Sequence, residues 1–316
     1  GAARLEGSKV FAKQFFRKLG IPTADFVVTE TALEARDALR RFHYPVVVKA
    51  DGLAAGKGVV IAPDQAAAER AIQSLGDRLV IEEFLEGEEV SFIALSDGAS
   101  VVPLAPTQDH KAVFDGDLGP NTGGMGAYCD SRILTSSQTE QILSDVIRPT
   151  VEATGFTGFL YAGLMMTRQG PRILEFNVRL GDPETQPLMH RLETDLAPVL
   201  LAAAQGQLHD ARLEWHSGPS VCVVLASGGY PGRFDTGLPI HGIAEAESAG
   251  CTVFQAGTRL GPQGLETAGG RVLGVTASAD TLGEAIERAY HAAAQIRFQG
   301  MHYRRDIGAK GLRRYN

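Results

Sequence analysis

The chain has 316 residues, a length that suits two or three domains, and 44% of them are apolar, ordinary for a globular protein. A net charge of −7 without a long basic run argues against a nucleic-acid partner, and no apolar stretch approaches the ~20 residues that a membrane span needs. The three cysteines, Cys129, Cys222 and Cys251, are odd in number and far apart, which fits a reducing, cytoplasmic setting and gives no zinc spacing.

No signal peptide opens the chain, and it starts without a methionine or a first strand, as a fragment or processed product would. Residues 8–19 place Phe11, Phe15 and Leu19 four apart, with Gly20 and Pro22 after them, and predict a helix with a glycine stop. A strand at 26–29 and a helix at 32–42 follow. Residues 44–50 read as a strand, then come a glycine-rich loop and a partner strand at 58–62. An Ala-rich helix at 65–75, capped by Asp64, and a strand at 78–83 complete a small α+β lid over about 25–84. A hairpin joins 89–96 to 100–104 through Asp97-Gly98. An irregular loop spans 106–127, a length that within a compact domain is usually functional or disordered. A helix at 137–154, strands at 158–167 and 172–180, and helices at 184–192 and 195–205 come next. From Pro219 the pattern is short strands, 221–226, 252–256 and 272–277, before a long helix at 282–296. The texture changes near 208–217, which puts a domain boundary at about residue 215.

Four stretches carry chemistry. The first is Val46 to Val59, with two lysines and three glycines. Lys49 ends a buried strand, where a lysine needs an anionic partner. Gly52, Gly56 and Gly58 let backbone amides turn toward phosphate oxygens, with Lys57 beside them. It is not a Walker loop, because Gly58 rather than Ser or Thr follows Lys57 and a strand rather than a helix comes next. The alternative is a hairpin with a glycine tip and a solvated Lys57. The second stretch is Leu79 to Phe92. Adenine needs backbone hydrogen bonds and apolar walls, and ribose needs a carboxylate. Glu82, the linker Glu83-Phe84-Leu85 and Glu89 fit that division; an acidic turn on a solvated surface is the alternative. The third is the loop with Asp109, His110 and Lys111 and then Gly119 to Gly126, including Asn121, Thr122, Gly123 and Gly124. Such a run can present amides to an anionic substrate, and His110 reads as a hydrogen-bonding structural residue before it reads as a base. The fourth is Arg172 to Glu184. Residues i and i+2 of a strand share a face, so Glu175, Asn177 and Arg179 point one way and Leu174, Phe176 and Val178 the other. Carboxylate, amide oxygen and guanidinium on one face suit a hard cation carrying phosphate oxygens; an amphipathic strand with a wet face is the alternative.

Together these runs resemble the ATP-grasp superfamily, and within it the phosphoribosylamine–glycine ligases of purine biosynthesis. The residues carrying the resemblance are Leu5-Glu-Gly-Ser-Lys9, Lys49 to Gly58, Ile81-Glu-Glu-Phe-Leu85, Gln108-Asp-His-Lys111, Gly119 to Tyr128, Thr157 to Leu164, Glu175-Phe-Asn177, Gly181 to Pro187 and Gly228-Gly-Tyr-Pro-Gly232. The resemblance implies an α+β ATP-grasp fold, two subdomains enclosing ATP over residues 1–215, followed by a small mixed α/β domain over 216–316. It implies ligation of glycine to 5-phosphoribosylamine through glycyl phosphate. ATP and Mg²⁺ or Mn²⁺ are the implied cofactors, and the implied partners are small molecules, with the chain a monomer or weak homodimer. Glu175 and Asn177 would bind the metal, with a second carboxylate nearby. Lys9 and Lys49 would neutralise the α- and β-phosphates, Gly52 to Gly58 would form a mobile cover, Glu82 and the backbone after it would hold adenine, and Glu89 would hold ribose. Arg179 would steady the acyl phosphate. Asp182 and Glu184 would lie near the glycine ammonium; equally, Asp182-Pro183 shapes a turn and caps the next helix. For Gly257-Thr-Arg259 and Gly269-Gly-Arg-Val272, ordinary hairpin glycines are the preferred reading over an approach to substrate. The family's dinucleotide-fold-like first domain is expected to be missing, and 65–78 reads as shortened before Asp77. The competing readings are another ATP-grasp carboxylate–amine ligase and an ATP-binding fragment that is inactive without its first domain.

Overall fold

The computed structural model describes residues 1–52, 58–262 and 264–315. After a single helical turn, Arg4–Gly7, the elements in chain order are helix α1 (Lys9–Leu19), strand β1 (Phe26–Thr29), α2 (Ala32–Leu39), β2 (Val46–Ala50), β3 (Val59–Ala62), α3 (Gln65–Leu75), β4 (Leu79–Glu83), β5 (Glu88–Asp97) and β6 (Val101–Pro103). Then come β7 (Thr107–Asp109), β8 (Ala112–Phe114), β9 (Leu118–Asn121) and β10 (Gly126–Cys129). A helical run, α4, joins Ser136–Ile142, a π-helical stretch Leu143–Ile147 and Arg148–Thr154. Pro149 lies just past the π-helical turn; a proline lacks the N–H and crowds the carbonyl four residues back, and a π turn relieves both. The chain continues with β11 (Thr157–Thr167), β12 (Gly170–Asn177), α5 (Thr185–Arg191), α6 (Leu196–Ala204), β13 (Ser220–Ala226), α7 (Ile243–Ser248), β14 (Thr252–Gln255), β15 (Thr258–Gly261), β16 (Gly264–Thr267), β17 (Arg271–Ser278) and α8 (Leu282–Ala293).

These elements form two compact units, 1–103 with 135–180 and 197–211, and 104–134 with 181–196 and 212–316. The first unit holds two antiparallel sheets. One has the order β1-β4-β2-β3. Helices α2 and α3 supply Ala35, Leu39, Ala68 and Ile72 to a core shared with Val46, Val48, Leu79 and Ile81 of that sheet. These elements pack together because β-branched strands alternate with Ala-rich helices of matching apolar faces. In the other sheet β12, β11 and β5 pair in turn, with β6 on β5. The second unit holds a sheet in which β7, β10, β13, β17 and β14 pair in turn, with α5 and α8 against it. The expected α+β class holds.

Three expectations need correction. The stretch 106–127 is not irregular: it contains β7, β8, β9 and the start of β10. Strand β9, Leu-Gly-Pro-Asn, is exposed along its length and exists by pairing with β8, which no apolar pattern announces. The strand expected to reach residue 180 ends at Asn177, and the helix expected to reach 296 ends at Ala293. Helix α7 and the hairpin β15–β16 were not foreseen.

Candidate active site

In the first unit, β2 and β4 lie side by side, with Lys49 opposite Val80 and Val47 opposite Glu82. Glu82 is buried, and its Oε2 lies 3.0 Å from Lys49 Nζ and 3.1 Å from Lys13 Nζ. Its other oxygen, Oε1, is buried without a hydrogen-bond partner. Lys13 also donates to Thr23 Oγ1 at 2.6 Å, and burial lowers its pKa to about 8 against the pull of Glu82. Lys9 stands one turn before Lys13 on α1 and donates to the Gly52 carbonyl at 2.8 Å. Burial also lowers the Lys9 pKa, opposed by the charge of Glu175, with Lys49, Asp51 and Glu82 contributing after it. The fold thus collects Lys9, Lys13, Lys49, Asp51, Glu82 and Glu175 into one electrostatic neighbourhood. Asp51 Oδ1 accepts from Ser8 Oγ at 2.8 Å and from Val10 N at 3.2 Å, so the N-terminus of α1 is tied to the beginning of the glycine loop.

The side chains along β4 alternate. Glu82 turns to the lysines, whereas Glu83 accepts from the Asp25 amide at 2.9 Å. A cleft of about 740 Å³ opens on the Glu83 side, lined by Phe16, Thr23, Phe26, Tyr44, Glu83 and Phe84 and by none of Lys9, Lys49 or Glu82. It adjoins the lysine centre through Thr23, whose hydroxyl Lys13 touches. Phe84 is exposed and Leu85 half-buried. Gly52 has a left-handed φ of 96° and Gly58 accepts from the Ala50 amide at 2.8 Å. Gly56 and Lys57 lie outside the described residues.

The second sheet of this unit aligns the oxygen donors. Residues in register on an antiparallel ladder share a face. Glu175 sits opposite Gly163, which sits opposite Ser91; Asn177 sits opposite Tyr161; Met165 sits opposite Glu89. Glu89, Glu175 and Asn177 therefore share one face, and Gly163 leaves room there. Glu175 and Asn177 thus point together with Phe176 buried behind them, as the i, i+2 spacing expects, and a β-bulge at Leu174 places Ile173 on the buried face as well. Arg179 stands beyond the end of β12. It reaches Glu6 Oε1 at 3.4 Å, and Glu6 Oε2 accepts from the Val178 amide at 3.0 Å.

In the second unit the glycine-rich run is closed on itself. The Thr122 amide donates to the Lys111 carbonyl at 2.8 Å, Gly123 N to Tyr230 Oη at 3.0 Å, Gly124 N to Thr122 Oγ1 at 2.9 Å and Met125 N to the His110 carbonyl at 2.8 Å. Each of these four amides has an acceptor within the unit. Asn121, by contrast, is exposed. Arg271 Nη1 donates to the carbonyls of Gly123 and Asp182, both at 2.8 Å, while its Nη2 lies 2.9 Å from Asp182 Oδ2. Gly269-Gly-Arg-Val272 is therefore more than a hairpin tip. Glu184 is buried beside Pro183. His110 is buried; burial, then the nearby Arg304 and Lys310, lower its pKa to about 4, so it is neutral at pH 7. Asp109 ends β7 opposite Ala127, and Lys111 is half-buried. Among the described residues no group of three or more His, Cys, Asp or Glu side chains forms a metal cluster, and no helix is long and apolar enough to cross a membrane.

The family model of the phosphoribosylglycinamide synthetase ATP-grasp (A) domain matches residues 7–185, and that of the C domain matches residues 220–310. The chain belongs to the phosphoribosylglycinamide synthetase family. The phosphoribosylamine–glycine ligase of Allochromatium vinosum is 49% identical over 328 residues, which cover 99% of this chain and 77% of the relative. That of Vibrio cholerae is 48% identical, with the same two coverages, 99% and 77%. The crystal structure of the phosphoribosylamine–glycine ligase of Thermotoga maritima matches with a TM-score of 0.88 and 39% identity, over 97% of this chain and 80% of that one. The N5-carboxyaminoimidazole ribonucleotide synthetase of Thermotoga maritima, at 19% identity and a TM-score of 0.68, shares the fold over 93% of this chain and 72% of that one.

Within this synthetase-family fold, sequence reasoning missed Glu6, Lys13, Asp51 and Arg271. Lys13 had a readable signal: it follows Lys9 by four residues, so the two share a helix face. Arg271 lies in a run whose glycines drew notice, but its partners are 89 and 148 residues away in sequence, so nothing local gave the arginine its role.

Proposed function

We propose that the protein joins glycine to 5-phosphoribosylamine, giving glycinamide ribonucleotide, ADP and phosphate. The observation that carries this is the match of both synthetase domains along one chain whose lysines, buried Glu82 and exposed Glu175 suit a nucleoside triphosphate. The glycine carboxylate attacks the γ-phosphorus, the bond to ADP breaks, and glycyl phosphate forms. The amine of phosphoribosylamine then attacks the acyl carbon, phosphate leaves and the nitrogen sheds a proton. No side-chain nucleophile is required. Burial raises the Cys129 thiol to about 11 and the Cys222 thiol to about 12, so neither is a thiolate at neutral pH.

Positioning and charge neutralisation do the catalytic work. Lys9 and Lys49 would meet the α- and β-phosphates, and the unpartnered Glu82 Oε1 would accept from the adenine amino group. The linker Glu83 to Leu85 would bond the ring edge through its backbone, and Glu89 would accept from ribose. Arg179 would stabilise the acyl phosphate. Glu175 and Asn177 supply hard oxygens from one face of β12, a donor pair that fits Mg²⁺ or Mn²⁺, with phosphate and water completing the shell. Bound there, the ion would neutralise phosphate charge. Asp182 and Glu184 would serve the glycine ammonium, and Asp109, His110, Lys111 and Asn121 the acceptor. We place the ATP-grasp domain at 1–215 and the C-terminal domain at 216–316.

The test is ADP release by this chain with Mg-ATP and glycine, with and without phosphoribosylamine generated in place. The proposal expects ADP formation that requires both substrates, and glycinamide ribonucleotide by mass. ADP release that is indifferent to glycine would overturn it.

A further inference from the structure

The C-terminal segment holds the glycine-rich run through two residues that grip Gly123 from both of its flanking peptide units. Tyr230 accepts from Gly123 N at 3.0 Å, and Arg271 donates to Gly123 O at 2.8 Å. Both residues are themselves locked. Ser227 donates through its amide to Gly270 O and through its hydroxyl to Gly269 O, each at 2.8 Å. A Cβ on Gly270 would come within 2.3 Å of the Tyr230 ring, so only glycine admits the tyrosine. The same guanidinium takes the Asp182 carbonyl at 2.8 Å and the Asp182 carboxylate at 2.9 Å. The second carboxylate oxygen, Oδ1, accepts from Gln186 Nε2 at 3.3 Å. The Arg271 side chain is 22% exposed and that of Asp182 54%. The planar fork of arginine satisfies such divergent acceptors at once; a lysine ammonium on a flexible stem does not hold them in one plane.

We infer that Arg271, with Tyr230, is the positioning device for the amino-acid substrate: it fixes the Asp182 carboxylate and the Gly123–Gly124 backbone in one geometry and so sets the affinity for the substrate ammonium. This rests on the reading of Asp182 as the carboxylate that meets the ammonium. Tyr230 and Arg271 touch no substrate; they act through Asp182 and the glycine run.

The experiment is steady-state kinetics on the whole chain carrying Arg271→Lys, Arg271→Ala or Tyr230→Phe, varying glycine and ATP separately. Arg271→Lys is expected to raise the glycine KM roughly 10- to 100-fold, the loss of charge-assisted hydrogen bonds, with the ATP KM within about twofold of the parent. Tyr230→Phe, which removes one neutral hydrogen bond, is expected to raise the glycine KM by roughly fivefold. Added methylguanidinium is expected to lower the glycine KM of Arg271→Ala but not that of the parent, a rescue that a merely structural role would not give. If the Arg271 variants fail to fold, Tyr230→Phe decides alone. A glycine KM unchanged in the folded variants, or a loss of kcat with no change in the glycine KM, overturns the inference. Failure of the unmodified chain to form glycinamide ribonucleotide overturns the functional reading instead.

Discussion

Glu82 shares one carboxylate oxygen between two ammonium groups and leaves the other buried and unpaired. A buried acceptor without a donor costs about 1–3 kcal/mol, a cost that a ligand's own donor removes. Glu175 shows the opposite environment, an exposed carboxylate on the same face of β12 as Asn177. Exchanging it for Gln keeps the shape and removes the charge that pairs with a cation. Glu175→Gln is expected to lower kcat at least about 100-fold with secondary structure intact, since charge stabilisation at a transferring phosphoryl group is worth several kcal/mol. Unimpaired turnover would sink the metal assignment. His110 makes a pH prediction. Its Nε2 faces the Gly308 amide at 3.4 Å, so the neutral ring carries its proton on Nδ1. With a folded pKa of about 4 against 6.5, the unfolded chain takes up a proton first as pH falls. Stability from this group is therefore present above pH 6.5 and is lost toward pH 4, amounting to about 2 kcal/mol between pH 7 and pH 5. Urea unfolding at both pH values, on the parent and on His110→Gln, checks this; an equal acid loss in both proteins would refute it.

At the scale of elements, α1 and the turn before α5 do the positioning. Ser8 caps α1 by accepting from Phe11 N at 3.1 Å while donating to Asp51 at 2.8 Å. Ser8→Ala removes a cap and a tie to the glycine loop together, and is expected to lower unfolding stability by about 1–2 kcal/mol. A denaturation midpoint within error of the parent would contradict that. The 8–19 helix itself was legible, with aromatic spacing inside and Gly20 in a left-handed φ of 69° at its end. The tie to Asp51 was not, because nothing local to either segment specifies the other. Gly124 has a φ of 116°, and a Cβ there would meet Pro183 Cδ at 2.4 Å. Gly124→Ala is therefore expected to force the glycine run away from the Gly-Asp-Pro turn and to cost at least about tenfold in kcat/KM for glycine, as misplacement of positioning groups does. Retained catalytic efficiency would show that the two segments need not touch.

At the scale of the molecule, each unit is assembled from segments far apart in sequence. Arg304, fully buried, lies 2.7 Å from Asp306 and 3.0 Å from Asp117, and donates to the Ala112 carbonyl at 3.1 Å. Asp306 in turn accepts from the Gly116 amide at 2.9 Å; its pKa falls to about 2, with the Arg304 hydrogen bond the chief cause against the opposing effect of burial. Lys310 closes the network on Asp117. The C-terminal stretch thereby holds the β8–β9 hairpin, of which β9 is exposed along its length. Arg304→Ala removes the common partner of two part-exposed carboxylates, of which Asp117 keeps Lys310, and is expected to cost about 1–3 kcal/mol, read as a lower urea midpoint. A loss under about 1 kcal/mol would show the network to be dispensable.

The sequence by itself determined the local elements and the chemistry each one offers. Capped and glycine-stopped helices, β-branched strands, the lysine at the end of β2 and the acid–amide pair on β12 all follow from spacing and propensity. Tertiary structure decided which of these groups meet. It paired Glu82 with Lys13 as well as Lys49, gave the amides of residues 122–125 their acceptors, and brought Arg271 onto Asp182. The physical reason is that hydrogen bonds and ion pairs between distant segments depend on register and packing, which no single window of sequence encodes.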